Sequence, residues 1–367
     1  MNIKIPLSKP YIDKEDIVGV KKVLKSLSLS LGPKLKEFEN EFANYVGSKY
    51  ACGVSSGTAG LHLAIKALGL KKDDEVITSP FSFIASTNCI LYENLKPVFV
   101  DINENTFNID PYQIKKKITK KTKAIIVIHV FGQPAEMNLI IKIAKKHGLK
   151  IIEDACESLG SKYYHRKTGT MGDIGVFAFY PNKQITTGEG GMIVTNNKNI
   201  YKDVLSLRNQ GRNLKNKWLI HEKLGYNYRM NEISASLGIT QLKKINWIIQ
   251  ERNKIAKLYF KYLSGNKNII LPILNKNNNL SWFVFVIRII NNKRDYIAKK
   301  LLEEGIETRN YFPPIHLQPF IKKMFNYKIG SFPITEKISS QTLALPFFIG
   351  LKEKEIKNIS QLIKKLL

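Results

Sequence analysis

Short apolar runs alternating with helical patterns fill the first two-thirds of this 367-residue chain. No other feature restricts its fold as tightly. Glu75-Val76-Ile77-Thr78, Pro97-Val98-Phe99-Val100, Ala124-Ile125-Ile126-Val127-Ile128 and Lys150-Ile151-Ile152 are continuous rather than alternating, as strands buried on both faces are. Between them, Thr58 to Leu68 sets Leu61, Ala64, Ile65 and Leu68 on one helical face, and Asn138 to His147 is a second helical pattern stopped by Gly148. Gly175-Val176-Phe177-Ala178-Phe179 and Gly191-Met192-Ile193-Val194-Thr195 add two further strands. This alternation predicts an α/β fold, with a mainly parallel sheet covered by helices on both faces.

A long helical pattern from about Asn231 to Leu263 follows and is expected to bridge two domains. Trp282 to Ile289 reads as a strand, Arg294 to Glu304 as a helix closed by Gly305, and Lys352 to Leu367 as a last helix. The expected division is a large domain over 1–249 and a smaller α+β domain over 250–367. A charged fraction of 24% beside 44% hydrophobic residues is globular and excludes wholesale disorder. No apolar run approaches the ~20 residues that span a bilayer. No apolar segment follows Met1-Asn2-Ile3-Lys4-Ile5-Pro6, so no signal peptide is read and a cytoplasmic location is expected. Cys52, Cys89 and Cys156 lie far apart, without metal-ligand spacing. The net charge of +28 comes from lysines spread between Lys4 and Lys365, which reads as a solvated surface. Without zinc-finger spacing or a basic helix followed by heptads, nucleic acid is not an expected partner. A positive field would, however, draw in a substrate carrying a pyrophosphate.

Four segments carry the chemistry. Val54-Ser55-Ser56-Gly57-Thr58-Ala59-Gly60 opens a helix, where unpaired N–H groups, a glycine and two hydroxyls suit a phosphate monoester. Asp154, in Ile151-Ile152-Glu153-Asp154-Ala155-Cys156-Glu157, falls at the carboxyl end of a buried strand, where open α/β sheets place ligands. A carboxylate there can hold a pyridinium N–H. Lys183, in Phe179-Tyr180-Pro181-Asn182-Lys183-Gln184-Ile185-Thr186-Thr187-Gly188-Glu189-Gly190-Gly191, sits in a weakly charged stretch. Taking a lysine out of water favours its neutral, nucleophilic amine. Leu224-Gly225-Tyr226-Asn227-Tyr228-Arg229-Met230 is a polar-aromatic loop before the bridging helix. Each segment alone also reads as ordinary structure: an N-cap for the first two, a surface loop for the others. Together, a phosphate turn, then an acid, then a lysine is the order expected of a fold-type-I pyridoxal-phosphate (PLP) enzyme.

These segments resemble the DegT/DnrJ/StrS family of sugar aminotransferases, from Pro6-Leu7-Ser8-Lys9-Pro10 to Leu343-Ala344-Leu345-Pro346. The stretch from Phe179 to Gly191 is its most specific piece. The resemblance implies that Lys183 holds PLP through its amine and shuttles the proton, and that Asp154 pairs with the ring nitrogen. It implies that Phe83 stacks on the ring, that Ser56, Gly57 and Thr58 take the phosphate, and that Asn227 reaches that phosphate from a partner subunit. Glu157 stands where the family often has glutamine near the ring hydroxyl. Ala178 stands where some members place a phosphate-binding serine. A subset of the family has histidine in place of the lysine and removes a sugar hydroxyl, chemistry against which Lys183 argues. Arg229, Tyr311 and His316, with His129, fall in segments that resemble the family's substrate-binding parts. His62, His147, His165 and His221 read as structural.

The implied activity is transfer of an amino group from L-glutamate to a keto-sugar on a nucleotide, by a homodimer with shared active sites. A 4-keto-6-deoxyhexose is the preferred acceptor and a 3-keto sugar the next. The alternatives are a sugar dehydratase of the same fold, a PLP-bearing sensor of amino sugars, and a basic nucleic-acid-binding protein.

Overall fold

The computed structural model describes residues 3–215 and 219–367. Met1 and Asn2, which open the segment considered for a signal peptide, lie outside the described residues. One seven-stranded sheet organises the chain, in the spatial order Tyr50–Val54, Gly191–Thr195, Ile174–Ala178, Lys150–Asp154, Thr122–Ile128, Glu75–Thr78, Lys96–Phe99. The last five pair in parallel. Gly191–Thr195 runs antiparallel to both its neighbours, so Tyr50–Val54 points the same way as the parallel set.

Helices cover both faces, and the central strands are apolar throughout for that reason. Along Thr122–Ile128, Ala124, Ile126 and Ile128 pack into one core, and Ile125 and Val127 into another. The first core takes in Leu61, Ala64 and Ile65 of the helix Gly57–Ala67. The second takes in Ile140, Ile143 and Ala144 of the helix Met137–His147.

The bridging pattern is two helices, Glu232–Lys243 and Ile245–Leu263, which corrects the single helix expected over 231–263. Lys244 breaks it at φ −103°, ψ 8°, with its amine bound to Asp13 and Asp16. That ion pairing holds the junction against the start of the helix Lys14–Ser26. The expected domain boundary after residue 249 falls inside Ile245–Leu263. Beyond it, Phe285–Ile289 pairs with Ile269–Ile270 and with Thr342–Leu345 in a small antiparallel sheet. The helix Glu353–Leu366 packs Ile356, Ile359 and Ile363 into the core beneath that sheet. The amino-terminal residues join this unit, since Lys4 and Ile5 donate N–H bonds to the Gly305 carbonyl. Among the described residues, no helix is long and apolar enough to cross a membrane.

One buried carboxylate fixes the strand at the middle of the sheet. Glu153 is 0% exposed. It accepts the N–H groups of Gly169 at 2.8 Å, Met171 at 2.5 Å and Gly172 at 2.5 Å, together with His129 Nε2 at 2.9 Å. Glu153→Gln turns one of those acceptors into a donor facing donors. We expect it to lower the unfolding free energy by about 1–3 kcal/mol, read as a lower urea midpoint at unchanged slope.

Candidate active site

The strand ends decide where the site lies. Val54 pairs with Gly191, Gly191 with Ala178, Val176 with Asp154, and Asp154 with Ile128. All five strand ends therefore meet on one edge, the carboxyl edge of the parallel set, where an open α/β sheet presents its ligands. A cavity of about 590 Å³ opens there. Ser56, Gly57, Thr58, Phe83, Asp154, Glu157, Lys183 and Tyr311 all line it.

The amino end of the helix Gly57–Ala67 forms one end of the cavity. Ser56 caps it, its Oγ accepting the N–H of Ala59 at 3.0 Å, which leaves the hydroxyl proton free to donate outward. The backbone comes close because two side chains are missing. A Cβ on Gly57 would sit 2.7 Å from the Ala178 Cβ, and one on Gly191 would sit 2.5 Å from the Ser56 carbonyl oxygen.

Asp154 ends its strand 7% exposed, and its Oδ1 accepts the N–H of Cys156 at 3.2 Å. Burial pushes its carboxyl above the ordinary value, against the opposing pull of that hydrogen bond and of the Lys183 charge. One turn later Glu157 accepts the N–H of Phe131 at 2.8 Å and lies 3.9 Å from the Lys183 amine. Burial pushes the Glu157 carboxyl up to about 7, the Lys183 charge opposing it.

Lys183 follows the strand Ile174–Ala178 in a loop whose backbone is pinned at both its ends. Its N–H donates to the Tyr180 carbonyl at 2.9 Å, and its carbonyl accepts Arg252 Nη2 at 3.2 Å. The amine lies 4.0 Å from the centre of the Phe283 ring, a cation–π contact. Tyr311 stacks parallel to Phe283 on this side, and Phe83, 62% exposed, also lines the cavity.

Four expected residues lie elsewhere. His316 is 0% exposed, bonded to Glu336 at 2.9 Å and packed edge-on against Phe332, so it does not line the cavity. This corrects the substrate-wall expectation for it: the stiff loop turns His316 into the protein. His129 is equally buried, its two ring nitrogens taken by Glu153 and by the N–H of Ala135. Asn227 is exposed and outside this chain's own cavity. Arg229 also points away, donating to Asn209 and Gln210 at 2.9 Å each. The loop holding both is anchored from behind: Ser55 donates to the Tyr228 carbonyl at 2.9 Å, and His62 links Tyr228 to Glu93.

Residues 10–364 match the DegT/DnrJ/EryC1/StrS aminotransferase family. The chain belongs to this family. Its relatives include the GDP-perosamine synthase of Escherichia coli O157:H7, 36% identical over 98% of each chain. They also include the UDP-N-acetyl-3-dehydro-alpha-D-glucosamine 3-aminotransferase of Acidithiobacillus ferrooxidans, 34% identical over 96% of this chain and 94% of that one. Among solved structures, the PLP form of a putative sugar aminotransferase from Streptococcus pneumoniae superposes with a TM-score of 0.93, at 26% identity over 99% of each chain.

Besides Phe283, which touches the Lys183 amine, two further residues of this aminotransferase are not among the site residues picked out from the sequence. Glu189 lines the cavity from within the glycine run. Arg252 is 4% exposed and reaches the carbonyls of Phe283 and Lys183, joining the long helix, the small unit and the lysine loop. Its signal was present: it shares the buried face of its helix with Ile248, Ile255 and Tyr259, a position that is otherwise apolar.

The raised Glu157 carboxyl has a consequence for stability. The folded protein holds this proton more tightly than the unfolded chain, whose ordinary value is 4.5. The stabilisation is complete below 4.5 and is lost as the pH rises through about 7. Asp154 acts in the same direction in both proteins, so comparison with Glu157→Gln isolates Glu157. Urea melts across this window should show wild type losing stability relative to the variant as pH rises; parallel profiles would contradict the buried acid.

Proposed function

We propose that this aminotransferase uses PLP to move an amino group from L-glutamate onto the ketone of a nucleotide-linked 4-keto-6-deoxyhexose. One observation carries the reading: the Lys183 amine, the Asp154 carboxyl and the amino end of the helix Gly57–Ala67 open into a single cavity. The donor set fits the cofactor. A phosphate monoester suits the first N–H groups of that helix, at residues 57 and 58, which have no intrahelical partner, and the Ser56 hydroxyl. A planar ring fits against Phe83, and a ring N–H is the cation that a buried carboxyl such as Asp154 lacks.

When bound, PLP supplies an electron-poor ring that accepts the electron pair of the bond broken at the amino-acid carbon. The chain's residues do the rest. Asp154 holds the ring nitrogen protonated and so keeps the ring electron-poor. The Lys183 amine carries a proton between the donor carbon and the cofactor carbon in each half of a ping-pong reaction. The Arg252 grip on its carbonyl fixes where that amine swings. Phe283 and Tyr311 keep water from its side of the cavity.

Asn227 and Arg229 fit this scheme as residues lent to a second copy of the chain. Both are held on an anchored loop and face away from their own cavity. Ala178 removes one serine hydroxyl from the phosphate end, and Asn227 of the partner subunit is the group that would replace it.

For the acceptor, likeness to GDP-perosamine synthase supports the 4-keto-6-deoxy sugar, and the name of the Acidithiobacillus relative keeps a 3-keto sugar as the next choice. A net charge of +28 attracts the pyrophosphate of either. Lys183 disfavours the dehydratase alternative.

Mass spectrometry of the protein with PLP, glutamate and a panel of nucleotide keto-sugars should show gain of an amine. Loss of a hydroxyl instead would select the dehydratase. Lys183→Ala should lower that turnover by about 10²–10⁴ or more and remove the near-visible absorbance of the lysine-bound cofactor. Turnover at the wild-type rate would remove Lys183 from its role. Exchanging subunits between Lys183→Ala and Asn227→Ala proteins should restore activity in part, since one of the two sites is then intact; no recovery after verified exchange would reject the shared site.

A further inference from the structure

Glu157 uses its two oxygens differently. Oε2 is occupied by the Phe131 N–H at 2.8 Å, while Oε1 faces the Lys183 amine at 3.9 Å. Its neighbours come from every side. Asp154 and Cys156 share its turn and add no positive charge. Tyr311 approaches from the small unit, and the turn Val130–Gly132 offers only the Phe131 N–H. Arg252 directs its two Nη groups at the carbonyls of Lys183, Trp282 and Phe283 and lies outside ion-pair distance of Glu157. Among the described residues, Lys183 is thus the cation within ion-pair distance of Glu157, and Asp154 has no such partner.

A carboxylate this deeply buried persists beside a cation or takes a proton. Lys183 must surrender its ammonium to attack a carbonyl, and its charge is then no longer available to Glu157.

We propose that Glu157 is the proton store of Lys183: as an N–H bond breaks at Nζ, an O–H bond forms at Glu157 Oε1, so that ammonium and carboxylate become amine and carboxylic acid. The exchange conserves charge and needs no further reactant. Rotation of the flexible lysine stem closes the gap between them. A glutamine at this position, though equal in shape, could accept the Phe131 N–H but could not hold the proton. The proposal rests on the PLP reading and adds to it where the lysine proton goes.

The test counts protons. Cofactor-stripped wild-type and Glu157→Gln proteins are titrated with PLP by calorimetry, in two buffers of different ionisation heat. At about pH 8, above the value near 7 at which Glu157 titrates beside the ammonium, wild type should release about one proton fewer than the variant. At about pH 5.5, Glu157 is protonated before and after binding, and the difference should vanish. A steric or merely structural role predicts no such crossover. Equal proton release at pH 8, or a difference that persists at pH 5.5, overturns the proposal while leaving the PLP reading intact. Failure of both proteins to bind PLP overturns the two together.

Discussion

Neighbouring residues of a strand point to opposite faces of the sheet, and at the end of Lys150–Asp154 this places two acids back to back. Glu153 faces inward, where three backbone N–H groups and His129 saturate it. Asp154 faces the cavity with a single N–H partner of its own. The first carboxylate holds the turn at 169–172 against the strand end and so fixes the position of the second. His129 belongs to the same arrangement: Glu153 orients its ring, and its own N–H binds the Asp154 carbonyl at 3.1 Å. A residue resembling a substrate ligand thus serves as a brace for the acid beside it.

The strand ends could be read from the sequence because they obey a local rule. The short apolar run Ile151-Ile152 followed by Glu153-Asp154 announces a buried strand whose last residue meets a ligand. Ser56-Gly57-Thr58 announces a helix start in the same way. What escaped depends on contacts distant in sequence. Arg252 reaches a lysine loop 69 positions earlier in the chain. His316 turned inward because Glu336, 20 residues later, offers its carboxylate. The break at Lys244 arises from acids near residue 13, and no helical periodicity encodes it.

Distance in sequence also shapes what closes the cavity. The small unit supplies the cavity wall through Phe283 and Tyr311, yet the long helix ties it to the lysine loop through one guanidinium. Burial pulls Arg252 down to about 10, still far above neutrality, so it stays charged while it bonds three carbonyls. Carbonyl oxygens take its two Nη groups without neutralising it, while its buried Nε–H has no partner among the described residues. The charge therefore remains near the lysine loop, although the geometry directs it at backbone rather than at the cavity.

The cavity wall is the reverse of the surface. Outside, lysines outnumber acids and give the chain its charge of +28. Inside, among the described residues, Asp154, Glu157 and Glu189 share the wall with Lys183 as its one cationic side chain. An anionic substrate is drawn towards the protein as a whole but meets acids at the bottom of the site. It can settle only where its charge lies against helix N–H groups, with neutral or proton-bearing groups facing the acids. A molecule with a phosphate at one end and a protonatable ring nitrogen at the other satisfies both demands. So does a nucleotide sugar whose pyrophosphate stays at the mouth while its uncharged ketone reaches Lys183.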